Sequence, residues 1–121
     1  YERHDTAVRE TSTLYGGLNS IVITGPGDHD FAVPVDAVLT TLTVYAQYDS
    51  NHSTFNKPQM KVLNGEEIGV TEATATMSLG ANLWELLTLS FTPTAKGIVT
   101  VRFISRSLTG NGKAFFDEFS Y

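Results

Sequence analysis

Cysteine is absent from the 121 residues, which excludes disulfide staples, thiolate metal sites and cysteine nucleophiles together. No apolar run approaches the roughly 20 residues that cross a bilayer as a helix, so no membrane insertion is expected, and no signal-peptide pattern is visible. Basic side chains are scarce, with 8 Lys and Arg against 13 Asp and Glu and a formal net charge of −5. Nucleic-acid binders carry a basic stripe, so no nucleic-acid partner is expected either. The 3.6-residue period of an amphipathic helix is missing throughout, which leaves room for a single helical turn at most. Internal repeats and low-complexity tracts are also lacking.

What remains describes a folded chain. Hydrophobic residues make up 41% and aromatics 11%, ordinary values for a domain with a core and far from the disordered class. The length suits one domain over residues 1–121. The chain opens at Tyr1 without an initiator Met, and it is read as a module processed or excised from a longer protein. A domain of this size holds together without disulfides, so the lack of cysteine leaves an extracellular home open.

Period-2 alternation supplies the positive signal. Residues 86–92 set Leu87, Leu89 and Phe91 against Thr88, Ser90 and Thr92. After a turn at residues 94–97, residues 98–105 set Val99, Val101 and Phe103 against Thr100, Arg102 and Ile104. A polar loop over 108–112 leads to a last strand at 113–121. Alternation with turn chemistry between the runs predicts half-buried antiparallel strands. Upstream, residues 1–6 read as a polar lead-in and 7–13 as a weak edge strand. A glycine turn at 15–17 precedes a strand over 18–24. Residues 31–35 (FAVPV) form a short strand that Pro34 confines to an edge or ends early. Residues 38–48 are the longest strand, with Leu42, Val44, Ala46 and Tyr48 on one face and Thr41, Thr43, Tyr45 and Gln47 on the other. Residues 57–63 turn Pro58, Met60 and Val62 inward and Lys57, Gln59 and Lys61 outward. Residues 71–77 form a short strand or an irregular crossing. Eight to nine short strands at hairpin spacing predict an all-β fold, a single antiparallel β-sandwich of jelly-roll type.

Chemistry is thinly signalled. His4, His29 and His52 sit in terminal or loop stretches, and none adjoins a serine motif of the kind a triad needs. Adjacent acids at Glu66–Glu67 and Asp117–Glu118 point to opposite faces of a strand, so neither couple makes an acid/base pair over one substrate. No catalytic residue is assigned, and the chain is read as a non-enzyme. Asp117 stands out because it lies within an apolar strand, on the face expected to carry Phe115, Phe119 and Tyr121, where a carboxylate needs a partner or a metal.

The order of Trp84, TLSFTPT, Gly97 with IVTVRF and then FFDEFSY resembles the C-terminal half of jelly-roll carbohydrate-binding modules, which share a galactose-binding-like fold. The stretch YGGLNSIVI resembles the glycine turn and following strand of that family, and residues 38–48 its central long strand. The likeness covers most of the chain from Leu14 to Tyr121. The family's first strand, with an acidic residue before a glycine loop, is poorly matched. The resemblance implies a non-catalytic module of a larger protein, extracellular or on a virion or cell surface. Its partner is then a polysaccharide or cell-surface glycan. It also implies that Asp117 either holds a structural Ca²⁺ or is a hydrogen-bonded structural aspartate. Glu10, Asp28 and Asp30 are the possible co-ligands for calcium, and Trp84 either stacks on a sugar or caps the core at a strand start. The residues expected to contact ligand are Tyr45, Gln47, Gln59 and Arg102, taken to share one outward sheet face. The alternative is a structural sandwich of a virion, filament or surface layer whose partners are copies of itself, joined through sheet faces or strand edges.

Overall fold

The computed structural model describes the backbone of Glu2–Arg3, Ala7–Glu10 and residues 20–121, with side chains from residue 21 onward. The expected glycine turn at 15–17, the start of its strand at Leu18, and His4 lie outside the described residues. The described residues form ten strands: β1 (Glu2–Arg3), β2 (Ala7–Glu10), β3 (Ser20–Thr24), β4 (Asp28–Val35), β5 (Thr40–Tyr48), β6 (Gln59–Val62), β7 (Ala73–Thr76), β8 (Glu85–Phe91), β9 (Gly97–Ile104) and β10 (Lys113–Ser120). The one helical element among the described residues is a 3-10 turn at Glu66–Ile68.

The strands form two antiparallel five-stranded sheets, ordered β1-β4-β9-β6-β7 and β2-β3-β10-β5-β8. This is the all-β sandwich of jelly-roll type that the alternation predicts. The strand beyond the expected nine is β1, which falls in the stretch expected as a polar lead-in and pairs with β4; β2 takes the place of the expected edge strand at 7–13.

The core lies between the sheets and is built by the predicted inward residues. Val99, Val101 and Phe103 from β9 and Met60 and Val62 from β6 face Leu42, Val44, Ala46 and Tyr48 from β5 and Leu87 and Leu89 from β8. Phe91 packs at its margin. Phe103 anchors an aromatic cluster, stacked on Phe116 at 4.6 Å and edge-on to Phe31 at 4.9 Å.

Two expectations change. The stretch expected as a short edge strand at 31–35 is the C-terminal part of an eight-residue strand, β4, paired along its length with β9. Asp28, His29 and Asp30 look like loop residues in sequence, yet His29 turns into the core and Asp30 binds Arg102 across the ladder. Pro34 is tolerated because β1 pairs only with His29 and Asp30, so the missing N–H falls beyond that short neighbour. The second change is in β10. A bulge between Asp117 and Ser120, with Glu118 at φ 52°, shifts the register. Phe119 therefore joins the core, edge-on to Phe31 at 4.8 Å, rather than sharing a face with Phe115 and Asp117.

Candidate functional site

Strand β5 alternates as expected, so Thr41, Thr43, Tyr45 and Gln47 leave the core on the outer face of the second sheet. Register supplies their neighbours. Tyr45 lies between Asp117 of β10 and Leu86 of β8, Gln47 lies beside Phe115, and Thr43 is opposite Thr88. Across this face, burial changes sharply. Val22, Phe115 and Asp117 are buried although they are outside the core cluster, whereas Leu86, Thr88 and Ser90 are exposed. Tyr45 and Gln47 are half-buried. They stand where a covered region gives way to an open strip of methyl and hydroxyl groups. A phenol ring, a side-chain amide and threonine hydroxyls along such a step offer one apolar surface and several directional donors and acceptors. Tyr48, by contrast, is a core residue whose hydroxyl donates to the Leu79 carbonyl at 3.0 Å.

Gln59 and Arg102 lie elsewhere. Both point outward from the first sheet, on β6 and β9, so the four residues expected on one face divide two and two between opposite sides of the sandwich. Alternation distinguishes inward from outward but says nothing of which sheet a strand joins. On its own face each residue has a structural partner. Gln59 donates to Thr76 Oγ1 across the β6–β7 ladder at 3.0 Å. Arg102 grips Asp30 with two hydrogen bonds, 2.6 Å from Nε and 2.7 Å from Nη2, and Asp28 is 3.6 Å away. Lys61 pairs with Glu72 at 3.6 Å on the same face. These contacts make a charged ladder that holds strands together.

Asp117 is buried at 3% exposure, and its Oδ1 accepts from the Glu118 N–H at 2.8 Å, closing the bulge. Calcium takes six to eight oxygens. Asp28 and Asp30 are on the opposite sheet, engaged with Arg102, and the Glu10 side chain lies outside the described residues. No group of three or more His, Asp or Glu suited to a metal occurs among the described residues. Asp28 and Asp30 therefore do not join Asp117 in one site, and the described contact of its Oδ1 is that of a hydrogen-bonded structural aspartate. On that reading Asp117→Ala should cost about 1 kcal/mol by removing the acceptor of the part-buried Glu118 N–H. Chelator should leave the melting temperature unchanged; a fall on chelation that Asp117→Ala abolishes would assign the metal instead.

One contact was invisible in sequence. His52 Nε2 lies 3.2 Å from Ser105 Oγ and 2.7 Å from the Ser105 carbonyl, while Nδ1 meets the Ser53 carbonyl at 2.8 Å. The pair resembles a catalytic dyad only in composition. Ser105 is fully buried, and a backbone carbonyl rather than a carboxylate faces the second ring nitrogen. Its role is to tie two loops together. Trp84 is half-buried and immediately precedes β8.

No protein-family model matches the sequence, and no curated protein matches it significantly. Solved structures do. The CBM22-1 xylan-binding domain of Paenibacillus barcinonensis Xyn10C superposes with a TM-score of 0.67 at 12% identity, over 94% of this chain and 78% of that one. The C-terminal family 22 carbohydrate-binding module of Clostridium thermocellum Xyn10B, described for ligand-binding residues in its cleft, matches 98% of this chain and 91% of its own at 17% identity, with a TM-score of 0.64. The enzymatically active domain of bacteriophage CBA120 tailspike protein 4 also matches, with 14% identity and a TM-score of 0.59, over 94% of this chain but 17% of that one. In fold, this chain is similar to jelly-roll carbohydrate-binding modules across most of its length.

Proposed function

We propose that the chain is a non-catalytic module that binds polysaccharide on the outer face of its second sheet, with Tyr45 and Gln47 as the principal contacts. The observation that carries this is the step at Tyr45 and Gln47, where covered and open parts of one face meet. The xylan-binding description of a structural neighbour supports the ligand class. Such an open face binds weakly, because few contacts exceed the cost of ordering both partners. Gln59 and Arg102 belong to the structural ladder of the other sheet in this reading. The module's setting is a secreted or particle-surface protein.

The test is affinity electrophoresis through gels cast with soluble xylan. Tyr45→Ala should reduce retardation by roughly tenfold in apparent affinity, the loss of about 1.4 kcal/mol, with an unchanged melting temperature. Gln59→Ala should bind like the parent. Retardation that survives Tyr45→Ala would move the site off this face.

A second reading has its own observation. Strand β8 is the last in its sheet, seven residues long, with Leu86, Thr88 and Ser90 exposed. An open edge of that length can accept a strand from another copy. Defined oligomers in light scattering, without xylan retardation, would favour assembly over glycan binding.

A further inference from the structure

Four loops gather at one end of the sandwich: residues 25–27, 49–58, 77–84 and 105–112. The ladder register puts them there, since Thr24 pairs with Lys113, Asp28 with Ile104, Gln59 with Thr76 and Ala46 with Glu85. Phe55, at 95% exposure, and Leu108, at 80%, project from this end, and Leu79 and Leu83 are exposed there as well. Leaving a phenylalanine in water forgoes about 1.5–3 kcal/mol of burial.

Slack in the loop does not account for that exposure. The segments carrying Phe55 and Leu108 are clamped to each other. His52 is buried between carbonyls of both, the Leu108 N–H donates to Ser53 Oγ at 2.7 Å, and Thr109 Oγ1 donates to the Asn51 carbonyl at 2.5 Å. Arg106 donates to the Lys57 carbonyl at 3.2 Å. Gly112 approaches so closely that a Cβ there would overlap the His52 backbone. Phe55 is thus displayed from a braced platform.

The surroundings indicate what it meets. The four loops contain no glutamate, and their only Asp, Lys or Arg residues are Asp49, Lys57 and Arg106. The Asp49 carboxylate already accepts from the Asn51 and Lys113 N–H groups. The rest of this end is amide and hydroxyl, with Asn51, Asn82, Asn111, Thr54 and Thr109 exposed. An anionic lipid or nucleic acid calls for a marked excess of cations, and a chain of charge −5 supplies none here. A neutral saccharide matches the mixture: its CH face stacks on an aromatic ring and its hydroxyls meet neutral donors and acceptors.

We propose that the loop end is a second saccharide-contact surface for neutral glycans, with Phe55 as its stacking platform, separate from the Tyr45 face. A long polysaccharide that reaches both surfaces gains avidity without new contacts. The measurement is affinity electrophoresis in gels of xylan, mannan and mixed-linkage β-glucan, using the parent, Phe55→Ala, Tyr45→Ala and the double variant. Because Phe55 is exposed, its variant should keep the parent's melting temperature. In at least one gel Phe55→Ala should lower apparent affinity by about two- to tenfold, and the double variant should lose more than either single one. Failure of the Tyr45 site would be seen as unchanged retardation of Tyr45→Ala. Failure of this one would be seen as unchanged retardation of Phe55→Ala in every gel, or as no retardation of the parent at all. Sedimentation with phosphatidylcholine–phosphatidylserine vesicles tests the rival occupant, and Phe55-dependent pelleting without any Phe55 effect in the gels would overturn the proposal.

Discussion

Phe103→Ala should remove about 3–5 kcal/mol of stability, the usual cost of emptying a large aromatic site in a core. The side chain is 3% exposed and is ringed by Phe116, Phe31 and Phe119 at 4.6, 4.9 and 5.8 Å. These three partners come from β4 and β10, on both sheets and on both sides of the β10 bulge. They cannot collapse together into the vacated space without pulling the sheets out of register, so the cavity should persist. Against a total stability of roughly 5–15 kcal/mol, the variant keeps little margin. Urea denaturation of parent and variant, compared at equal m-values, measures the difference. A cost below about 1 kcal/mol would mean that the sheets close over the gap and that the aromatic cluster is not the centre of the core.

Arg102→Ala should cost about 2–4 kcal/mol, and for a reason unrelated to ligand. The substitution takes two short hydrogen bonds from the Asp30 carboxylate, which is 3% exposed. Breaking a buried ion pair typically costs 3–5 kcal/mol; the Arg102 side chain is 29% exposed, and water entering from that side lowers the figure. Arg102→Lys should recover little, since an ammonium cannot reproduce the two-pronged grip. Arg102→Met combined with Asp30→Leu should be more stable than Arg102→Ala, because no carboxylate is then stranded. If the double variant is instead the less stable of the two, Asp30 draws its main support from elsewhere. Binding to xylan should be unaffected by any of these changes.

The alternation of Val99, Val101 and Phe103 against Thr100, Arg102 and Ile104 was enough to name the core half of β9, and the same holds for β5, β6 and β8. Such a pattern reports which side of a strand is dry. It carries no information on partners, which is why Tyr45 and Gln47 could be grouped with Gln59 and Arg102 although two sheets separate them. Sheet membership is decided by long-range pairing, as when β10 inserts between β3 and β5. The bulge at Glu118 was hidden for a different reason. A positive φ at a non-glycine residue has no sequence signature, and only the resulting turn of Phe119 into the core reveals it. The polarity of Asp28 to Asp30 suits a loop, and it is Arg102, 72 positions later, that makes Asp30 acceptable in a strand. The exposure of Phe55 has no sequence signature, because loops lack the periodicity that would mark one aromatic as exposed.

The placement of β10 bears on how the molecule is made. Its eight residues follow all the other described strands, yet they pair with β3 on one side and β5 on the other. In the first sheet β9 likewise joins β4 to β6. During synthesis the earlier strands of each sheet therefore wait in two disconnected halves until the keystone strand leaves the ribosome. Pairings of such long sequence separation close slowly, and unpaired edges during the wait invite wrong partners. Nascent chains arrested before residue 113 should consequently resist protease little better than unfolded polypeptide, and protection should arise in one step once residues 113–120 are clear of the tunnel.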